Sequence, residues 1–276
     1  MTSSFCVIGS PINHSLSPVI HNAANVALGL NFHYDRHEVS QGELSDFVRN
    51  NSFSGLSVTM PLKYEAFELA EICSPEAIKT GVANTLVRSG EGWIGHNTDV
   101  AGFVSILSQI EMPQSIVILG SGATARSASL AISSKFQDSK LSVIGRSTSA
   151  VDELVGLASS FGISARAEEE SAEALLNADL VISTVPGTAF TELWEDVAAG
   201  SVRARGTLVD VVYKPWPSNA SIAWASVSVS GLELLIWQAI EQVKIFAESQ
   251  GRSVSLSDIE LYGVMKNAVK TETGLN

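Results

Sequence analysis

From about residue 115 to residue 230, short apolar runs alternate with segments of helical periodicity. The runs predict strands at 116–119, 141–144, 179–183, 207–212 and 226–229. Continuous apolar runs of this length are typical of strands that are buried on both faces of a parallel sheet. Because helices separate the strands, we interpret this region as a Rossmann-type α/β domain with crossover helices.

The first hundred residues carry a second α/β pattern, with helical segments between apolar strands. Its strands are predicted at 5–9, 32–39, 55–60, 85–89 and 93–96, the last two as a hairpin. At the other end of the chain, long helices are predicted over 232–248 and from Ser257, which forms a capping box with Glu260. Residues 270–276 are predicted to form a loose polar tail.

The two α/β patterns meet near residues 100–112, so we predict two domains, residues 1–102 and residues 103–234. Ligand sites occur preferentially between domains, and we expect a cleft there to bind the ligands. Periodicity alone does not assign the C-terminal helices to either domain.

A glycine motif follows the first strand of the second domain. Gly120, Gly122 and Ala125 have the spacing G-x-G-x-x-A, and a helix is predicted from Ala125 to about Phe136. The first glycine permits a tight turn, the second lets a pyrophosphate approach the backbone, and the small third residue lets the helix pack closely. The pattern favours a dinucleotide site on a helix N-terminus, and the alternative is an ordinary turn without a ligand.

The residue type after the second strand of this domain bears on the choice of cofactor. NAD enzymes usually have an acidic residue there, whereas this chain has Arg146 followed by Ser147 and Thr148. A guanidinium flanked by hydroxyl groups suits a 2′-phosphate, which favours NADP. The alternative is a solvated surface arginine.

Composition restricts the possible partners. The formal net charge of −12 argues against nucleic acid or an anionic membrane. The chain has two cysteines, Cys6 and Cys73, and its five histidines lack the spacing of metal ligands, so we expect neither a disulfide framework nor a metal site. Without a run of apolar residues long enough to cross a bilayer, we expect a cytoplasmic protein.

Lys63 and Asp99 form the candidate catalytic pair. Each residue follows a predicted strand and opens a predicted helix. Hydride transfer between a nicotinamide and an alcohol or ketone leaves one proton, which a lysine can donate or accept while a carboxylate orients it. Taken alone, Asp99 is typical of a helix N-cap and Lys63 of a solvated helix residue, and their spacing does not join them.

Five other polar residues could bind a polyhydroxylated substrate through hydrogen bonds. They are Ser15, Ser17, Thr59, Asn84 and Gln238. Individually they are more typical of caps and turns, and Ser17 before Pro18 is predicted to cap a helix.

Six motifs in order along the chain resemble those of the shikimate dehydrogenase family, most closely its actinobacterial-type members. They are residues 9–18 (GSPINHSLSP), 58–63 (VTMPLK), 83–86 (ANTL), 97–99 (NTD), 210–215 (DVVYKP) and 231–239 (GLELLIWQA). Departures include Ser57, where the family usually has asparagine, and Gly145, where the family usually has asparagine before the arginine.

The resemblance implies NADPH-dependent, reversible reduction of 3-dehydroshikimate to shikimate in aromatic amino-acid biosynthesis. It implies a catalytic role for Lys63 and Asp99, and a substrate domain to which residues 235–276 return. It assigns contacts with the substrate to Ser15, Ser17, Thr59, Asn84, Gln238 and Tyr213. We predict the NADP contacts to be Gly120, Ser121, Gly122, Ala123, Thr124, Ala125, Arg126, Arg146, Ser147, Thr148, Thr184, Val212 and Gly231.

Two other functions compete with this one. The first is a quinate/shikimate dehydrogenase that uses NAD, against which Ser17 argues because quinate-using relatives tend to have threonine there. The second is a catalytically silent NADP-binding or regulatory paralogue, against which the retained Lys63 and Asp99 argue. In all three cases we expect a small-molecule ligand and a monomer or homodimer.

Overall fold

The protein is represented by a computed structural model that describes residues 3–200 and 204–274. The described chain divides into two compact units. The first combines the described residues of Met1–Gly102 with those of Leu235–Asn276, and the second consists of those of Phe103–Leu234. The predicted substrate domain includes residues 1, 2, 275 and 276, which lie outside the described residues.

The first unit contains a mixed sheet. Its strands are β1 (Ser3–Gly9), β2 (Phe32–Glu38), β3 (Gly55–Val58), β4 (Ile72–Cys73), β5 (Thr85–Ser89) and β6 (Gly92–His96). They lie in the order β2-β1-β3-β5-β6-β4, and β5 pairs antiparallel with both β3 and β6. The predicted hairpin is confirmed by the pairing of β5 with β6.

Helices connect these strands and place polar residues at strand ends. They are α1 (Ser17–Ala27), α2 (Leu44–Asn50), α3 (Lys63–Leu69), α4 (Pro75–Thr80) and α5 (Asp99–Leu107). Helix α3 follows β3 after a short loop, and α5 follows β6. This connectivity puts Lys63 and Asp99 at the first residues of two helices, just after two strands of one sheet.

The second unit contains a parallel sheet. Its strands are β7 (Ser115–Leu119), β8 (Lys140–Ile144), β9 (Ser164–Ala167), β10 (Leu180–Ser183), β11 (Thr207–Asp210) and β12 (Ser228–Ser230). They lie in the order β12-β11-β10-β7-β8-β9, and each neighbouring pair is parallel. The strand order reverses beside β7, as in a doubly wound dinucleotide-binding sheet, so the predicted Rossmann-type order is confirmed.

The helices of the second unit cover this sheet, and two longer helices complete the chain. They are α6 (Ala123–Lys135), α7 (Thr148–Ser160), α8 (Ala172–Leu176), α9 (Thr191–Ala199), α10 (Asn219–Trp224), α11 (Gly231–Ser249) and α12 (Asp258–Thr273). The predicted capping box at Ser257 and Glu260 is present at the start of α12. Helix α11 begins in the second unit and continues into the first.

Strand β1 is buried on both faces of the first sheet, since its alternate residues point to opposite sides and its last five residues are all buried. Cys6 belongs to one apolar cluster with Leu62, and Phe5 belongs to another with Phe246 of α11. At Gly55 of β3, a Cβ atom would lie 2.7 Å from the Phe246 ring. Helix α11 therefore packs directly on the sheet of the first unit.

Strands β4 and β9 have no counterpart among the predicted strands, and the predicted loose tail is wrong for its first residues. Strand β9 was not expected, because its residues are largely exposed and lack an apolar pattern. Residues 270–273 are helical instead of a loose tail, since α12 continues past buried Val269 and ends at Gly274 with φ +71°. No helix within the described ranges is both long enough and apolar enough to span a membrane.

Candidate active site

The glycine turn at the end of β7 has the geometry that its motif predicts. Gly120 has φ +110°, which favours glycine, and a Cβ atom there would lie 2.5 Å from Oγ1 of Thr184. The Thr184 hydroxyl donates to the carbonyl oxygen of Leu119 at 3.0 Å, so the end of β10 packs against the turn. Both the backbone conformation and this close approach require glycine at residue 120.

The second glycine faces open space. Gly122 is exposed and precedes α6, and among the described residues other than Gly122 and its chain neighbours, no atom lies within 4 Å of the position of an added Cβ. Helix α6 begins at Ala123, two residues before the predicted start, and Ala125 in its first turn is fully buried. The residues of this turn therefore fit a pyrophosphate, because a phosphate can approach the backbone at Gly122 and the helix N-terminus.

The segment after β8 runs close to the glycine turn. A Cβ atom at Gly145 would lie 3.2 Å from Oγ of Ser121, so glycine at this position makes room for the Ser121 side chain. Arg146 follows and is exposed. The hydroxyl of Ser147 accepts from the backbone N–H of Ala150 at 3.4 Å and thereby caps α7, at whose first residue Thr148 lies.

Arg126 is held differently from Arg146. Its guanidinium Nη2 lies 3.1 Å from a carboxylate oxygen of Glu153 on α7, and its side chain is only 19% exposed. This ion pair joins α6 to α7. Thr124, also predicted to contact the cofactor, occupies the first turn of the same helix.

The remaining predicted cofactor contacts, Thr184, Val212 and Gly231, follow the ends of β10, β11 and β12. The backbone N–H of Gly231 donates to the carbonyl oxygen of Val212 at 3.1 Å, and a Cβ atom at Gly231 would overlap the backbone of Val211. Glycine at residue 231 thus lets the start of α11 touch the chain after β11. Thr184, after β10, packs against the glycine turn at Gly120.

Asp210 at the end of β11 begins the motif at residues 210–215 and is buried, but no role for it was predicted from the sequence. Its carboxylate accepts from Oγ of Ser218 at 2.5 Å and from the N–H of Val212 at 3.2 Å. Burial raises its pKa above the usual value for an aspartate. These bonds fix the loop that carries the partly buried Tyr213.

Lys63 and Asp99 are in direct contact in the first unit. Lys63 Nζ lies 2.5 Å from Asp99 Oδ2, and the two side chains are 11% and 7% exposed. The contact joins the first residue of α3 to the first residue of α5. The fold therefore brings together the two groups that sequence spacing left unconnected.

Asn84 and Gln238 join the same cluster. Asn84 Nδ2 donates to Asp99 Oδ1 at 2.9 Å, and the backbone N–H of Thr98 donates to Asn84 Oδ1 at 2.8 Å, which fixes the orientation of the Asn84 amide. Gln238 Oε1 lies 3.3 Å from both Asn84 Nδ2 and Thr98 Oγ1. Thr98 is thus a cluster residue that the sequence reasoning did not single out.

Ser15 and Ser17 are buried neighbours at the entry to α1. The predicted N-cap at Ser17 is wrong, because the helix begins at Ser17 itself and its cap residue, Leu16, has no side-chain acceptor. The Ser15 hydroxyl instead accepts from the N–H of Ser17 at 3.3 Å. Arg36 of β2 donates to the backbone oxygens of Asn13 and Ser15, which holds this loop in place.

Thr59 links the ends of β1 and β3. Its N–H donates to the carbonyl oxygen of Ile8 at 2.9 Å, and a Cβ atom at Gly9 would lie 2.5 Å from its methyl group. Its backbone oxygen, not its hydroxyl, accepts from the N–H of Leu62 before α3. The partly exposed Thr59 therefore lies at the same strand ends as the loop that carries Ser15 and Ser17.

The comparisons with known proteins agree with this geometry. Residues 7–86 match the family model described as the shikimate dehydrogenase substrate binding domain. The chain is 32% identical to the shikimate dehydrogenase (NADP(+)) of Desulfitobacterium hafniense, over 91% of this chain and 94% of that protein. The chain belongs to the shikimate dehydrogenase family.

Solved structures of the shikimate dehydrogenase family share the fold along the whole chain. The crystal structure of Mycobacterium tuberculosis shikimate dehydrogenase has a TM-score of 0.82 and 32% identity, and the match covers 98% of this chain and 99% of that one. The Thermus thermophilus enzyme, solved with NADP(H) and shikimate, has a TM-score of 0.76 and 25% identity over 97% and 100% of the two chains. The predicted family resemblance is confirmed.

A second polar cluster, absent from the sequence reasoning, lies buried beside the first. It consists of His21, Tyr34, Ser57, Thr85 and Gln242. Its signal in the sequence is weak, because a glutamine four residues after Gln238 is an ordinary helix residue. In the described parts of the chain, no group of three or more His, Cys, Asp or Glu side chains could hold a metal ion.

Proposed function

We propose that this protein is an NADP-dependent shikimate dehydrogenase that interconverts 3-dehydroshikimate and shikimate in aromatic amino-acid biosynthesis. The proposal depends on one observation: in this chain, which belongs to the family, Lys63 Nζ lies 2.5 Å from Asp99 Oδ2. A lysine hydrogen-bonded to a carboxylate beside polar amides is suited to proton transfer at a carbonyl oxygen. The glycine turn, which fits a dinucleotide, supports the same reaction.

NADPH, when bound, supplies the hydride that reduces the C3 carbonyl carbon. Lys63 donates a proton to the carbonyl oxygen, which becomes the hydroxyl group of shikimate. Asp99 accepts the lysine hydrogen bond and balances its charge, while Asn84 holds the second carboxylate oxygen at 2.9 Å. In the reverse direction Lys63 accepts the hydroxyl proton.

We assign recognition of the substrate to hydroxyl and amide groups of the first unit together with Tyr213. A ring with several hydroxyl groups and a carboxylate needs donors and acceptors that are fixed before it binds. Ser15 and Ser17 lie at the entry to α1, and Thr59 follows β3. Asn84 bonds to Asp99, and Gln238 lies beside Asn84. We therefore propose that the first unit binds the substrate.

We propose that the second unit binds NADP. Its pyrophosphate would lie at Ser121, Gly122, Ala123, Thr124 and Ala125, with Gly120 shaping the turn, and Thr184, Val212 and Gly231 would border the nicotinamide half. Arg146, exposed beside the capping Ser147 and Thr148, would bind the 2′-phosphate, and Arg126 would support it through its pair with Glu153.

The proposal is tested by following the absorbance of the reduced nicotinamide with purified protein. Four reactions are compared, with shikimate or quinate and with NADP⁺ or NAD⁺. We expect the highest kcat/KM for shikimate with NADP⁺. A preference for quinate with NAD⁺ would instead make the protein a catabolic quinate dehydrogenase, and NADPH binding without turnover would make it a silent paralogue.

We further propose that the protein acts in the cytoplasm as a monomer or homodimer on a small-molecule substrate. Light scattering coupled to size-exclusion chromatography measures the oligomeric state. Fractionation of the source cells measures the location.

A further inference from the structure

Gln242 has a fully bonded side chain in the interior of the first unit. The residue is 2% exposed and lies on α11, one helical turn after Gln238. Its Oε1 accepts from Ser57 Oγ at 2.7 Å and lies 3.2 Å from Nε2 of His21. Its Nε2 donates to Thr85 Oγ1 at 2.9 Å and to the backbone oxygen of Asn84 at 3.2 Å.

The hydrogen bonds of this cluster run in one direction toward Asp99. Tyr34 donates its hydroxyl proton to Ser57 Oγ at 2.6 Å, so Ser57 donates its own proton to Gln242. The amide of Gln242 therefore has its oxygen toward Ser57 and its NH₂ group toward Thr85.

From Thr85 the sequence of donors continues into the candidate active site. The Thr85 hydroxyl donates to Asn84 Oδ1 at 2.8 Å, and Asn84 donates to Asp99 Oδ1 at 2.9 Å. Lys63 donates to the other oxygen of the same carboxylate. Two residues, Thr85 and Asn84, thus connect Gln242 to Asp99 through a continuous series of three buried hydrogen bonds.

The same amide also controls the position of Gln238. Residues four apart lie on one face of a helix, so Gln238 and Gln242 face the sheet together. Ser57 and Thr85 are directly paired across β3 and β5, and Gln242 bonds to both of them. This fixes the rotation and depth of α11 at the point where Gln238 reaches Asn84 and Thr98.

The contacts of Gln238 are sensitive to such a shift. Both of its distances to Asn84 and Thr98 are 3.3 Å, slightly beyond the usual range for a hydrogen bond. A movement of α11 by a few tenths of an ångström away from the sheet would break both. The Gln242 amide bonds to Thr85 and to the backbone oxygen of Asn84 one helical turn away, and so ties α11 to β5 and the residue before it.

We propose that Gln242 is a positioning residue for the dehydrogenase reaction, which holds Gln238 and Asn84 in the arrangement that Asp99 and the substrate require. The proposal rests on the proposed function. Gln242 is linked to Asp99 through Thr85 and Asn84, so it acts through its neighbours. A merely structural role would lower stability and leave the kinetic constants of the folded enzyme unchanged.

The first test replaces Gln242 by methionine, which has similar length and cannot form these bonds. We expect kcat/KM for shikimate to fall by about tenfold, because small displacements of reacting or binding groups are costly, while KM for NADP⁺ changes less than about twofold. Gln250→Met is the matched control, since Gln250 follows the same helix and the variant loses its bonds with Ser3 Oγ and Ser249 Oγ, away from the candidate active site. Its kinetic constants should equal those of the wild type.

A double-mutant cycle distinguishes positioning from an independent contribution. If Gln242 acts through Gln238, the kcat/KM of the double variant Gln238→Ala/Gln242→Met should be at most about twofold below that of the less active single variant. A multiplicative loss would overturn the proposal. Equal kinetic constants for Gln242→Met and Gln250→Met would overturn it as well.

Thr85 supplies a second route if Gln242→Met does not fold. Thr85→Val keeps the shape of the side chain and removes the hydroxyl that links Gln242 to Asn84, whereas Thr85→Ser keeps that hydroxyl. We expect Thr85→Val to lose about tenfold in kcat/KM and Thr85→Ser to stay within about threefold of the wild type. Equal losses in the two variants would overturn the proposal.

The wild-type assay separates this inference from the proposed function. A wild type that does not oxidise shikimate with NADP⁺ would overturn both. An active wild type with unchanged Gln242→Met kinetics, or with a multiplicative cycle, would overturn the positioning role alone. All assays are run below the onset of thermal unfolding of each variant, measured by circular dichroism.

Discussion

His21 offers a quantitative test of the buried polar cluster. Its ring is 1% exposed and stacks on Tyr34, with ring centroids 4.0 Å apart and planes inclined by 4°. Burial lowers the pKa of His21 to about 3, although the bond with Gln242 opposes the shift. The folded protein therefore keeps this imidazole neutral at pH values where the unfolded chain protonates it.

The sign of the pH effect follows from this difference. The pKa of an unfolded histidine is about 6.5, so as pH falls below that value the unfolded chain binds a proton that the folded chain excludes. The free energy of unfolding then decreases with falling pH, and the decrease continues until pH approaches the folded pKa of about 3. At pH 5 the loss is about 2 kcal/mol relative to pH 7 or above, because each pKa unit is worth about 1.4 kcal/mol.

The assay compares the wild type with His21→Phe, which keeps an aromatic ring against Tyr34 and does not titrate. Urea unfolding followed by circular dichroism at pH 7 and pH 5 gives the change for each protein. We expect the wild type to lose about 2 kcal/mol more than the variant over this range. An equal pH dependence in the two proteins, or an NMR titration of His21 with a midpoint near 6.5, would refute the reasoning.

Three further predictions concern the proposed reaction. Lys63→Ala should lower kcat for shikimate oxidation by roughly two or more orders of magnitude, because the group that transfers the proton is lost. The affinity for shikimate should change little. Near-normal turnover of the variant would remove the pair from the mechanism. Arg146→Ala should narrow the preference for NADP⁺ over NAD⁺, measured as the ratio of kcat/KM values, and an unchanged ratio would mean that another group binds the 2′-phosphate. Gly120→Ala should lower both thermal stability and NADPH affinity, since the new methyl group would meet Thr184, whereas Gly122→Ala should lower only the affinity. Equal stability losses in the two glycine variants, measured by thermal unfolding, would contradict this geometry.

The sequence predicted the second sheet well because its signals are local. A buried parallel strand appears as a continuous apolar run, and the run before Gly120 ends in a turn that its motif describes. The positive φ of Gly120 and the open space beside Gly122 are what the spacing of the glycines requires. Strand β9 was not predicted, because an exposed edge strand lacks the apolar pattern by which strands are recognised.

The candidate active site of the first unit was predictable only in part. The local pattern predicted Lys63 and Asp99 at the starts of two helices. Those starts are neighbours because of the strand order β3-β5-β6, which neither segment of the sequence indicates. Family motifs supplied what spacing could not for Asn84 and Gln238. They did not extend to Gln242, whose importance depends on Ser57 and Thr85 being paired across two strands.

Ser17 shows a different limit. Its place before Pro18 is typical of a cap, yet the helix starts one residue earlier than that pattern implies. The side chain is buried and within hydrogen-bonding reach of Tyr34 instead. Burial by the fold thus overrode a local preference of the chain.

The one-way series of donors from Tyr34 to Asp99 constrains how this chain can diverge. Each member uses its proton to satisfy the next, so losing a single hydroxyl leaves an inward-facing acceptor without its donor. Such a loss costs about 1–3 kcal/mol, a large share of the roughly 5–15 kcal/mol by which a typical protein is stable. We therefore expect changes at Tyr34 or Ser57 in divergent chains to be accompanied by compensating exchanges at a neighbouring position of the series.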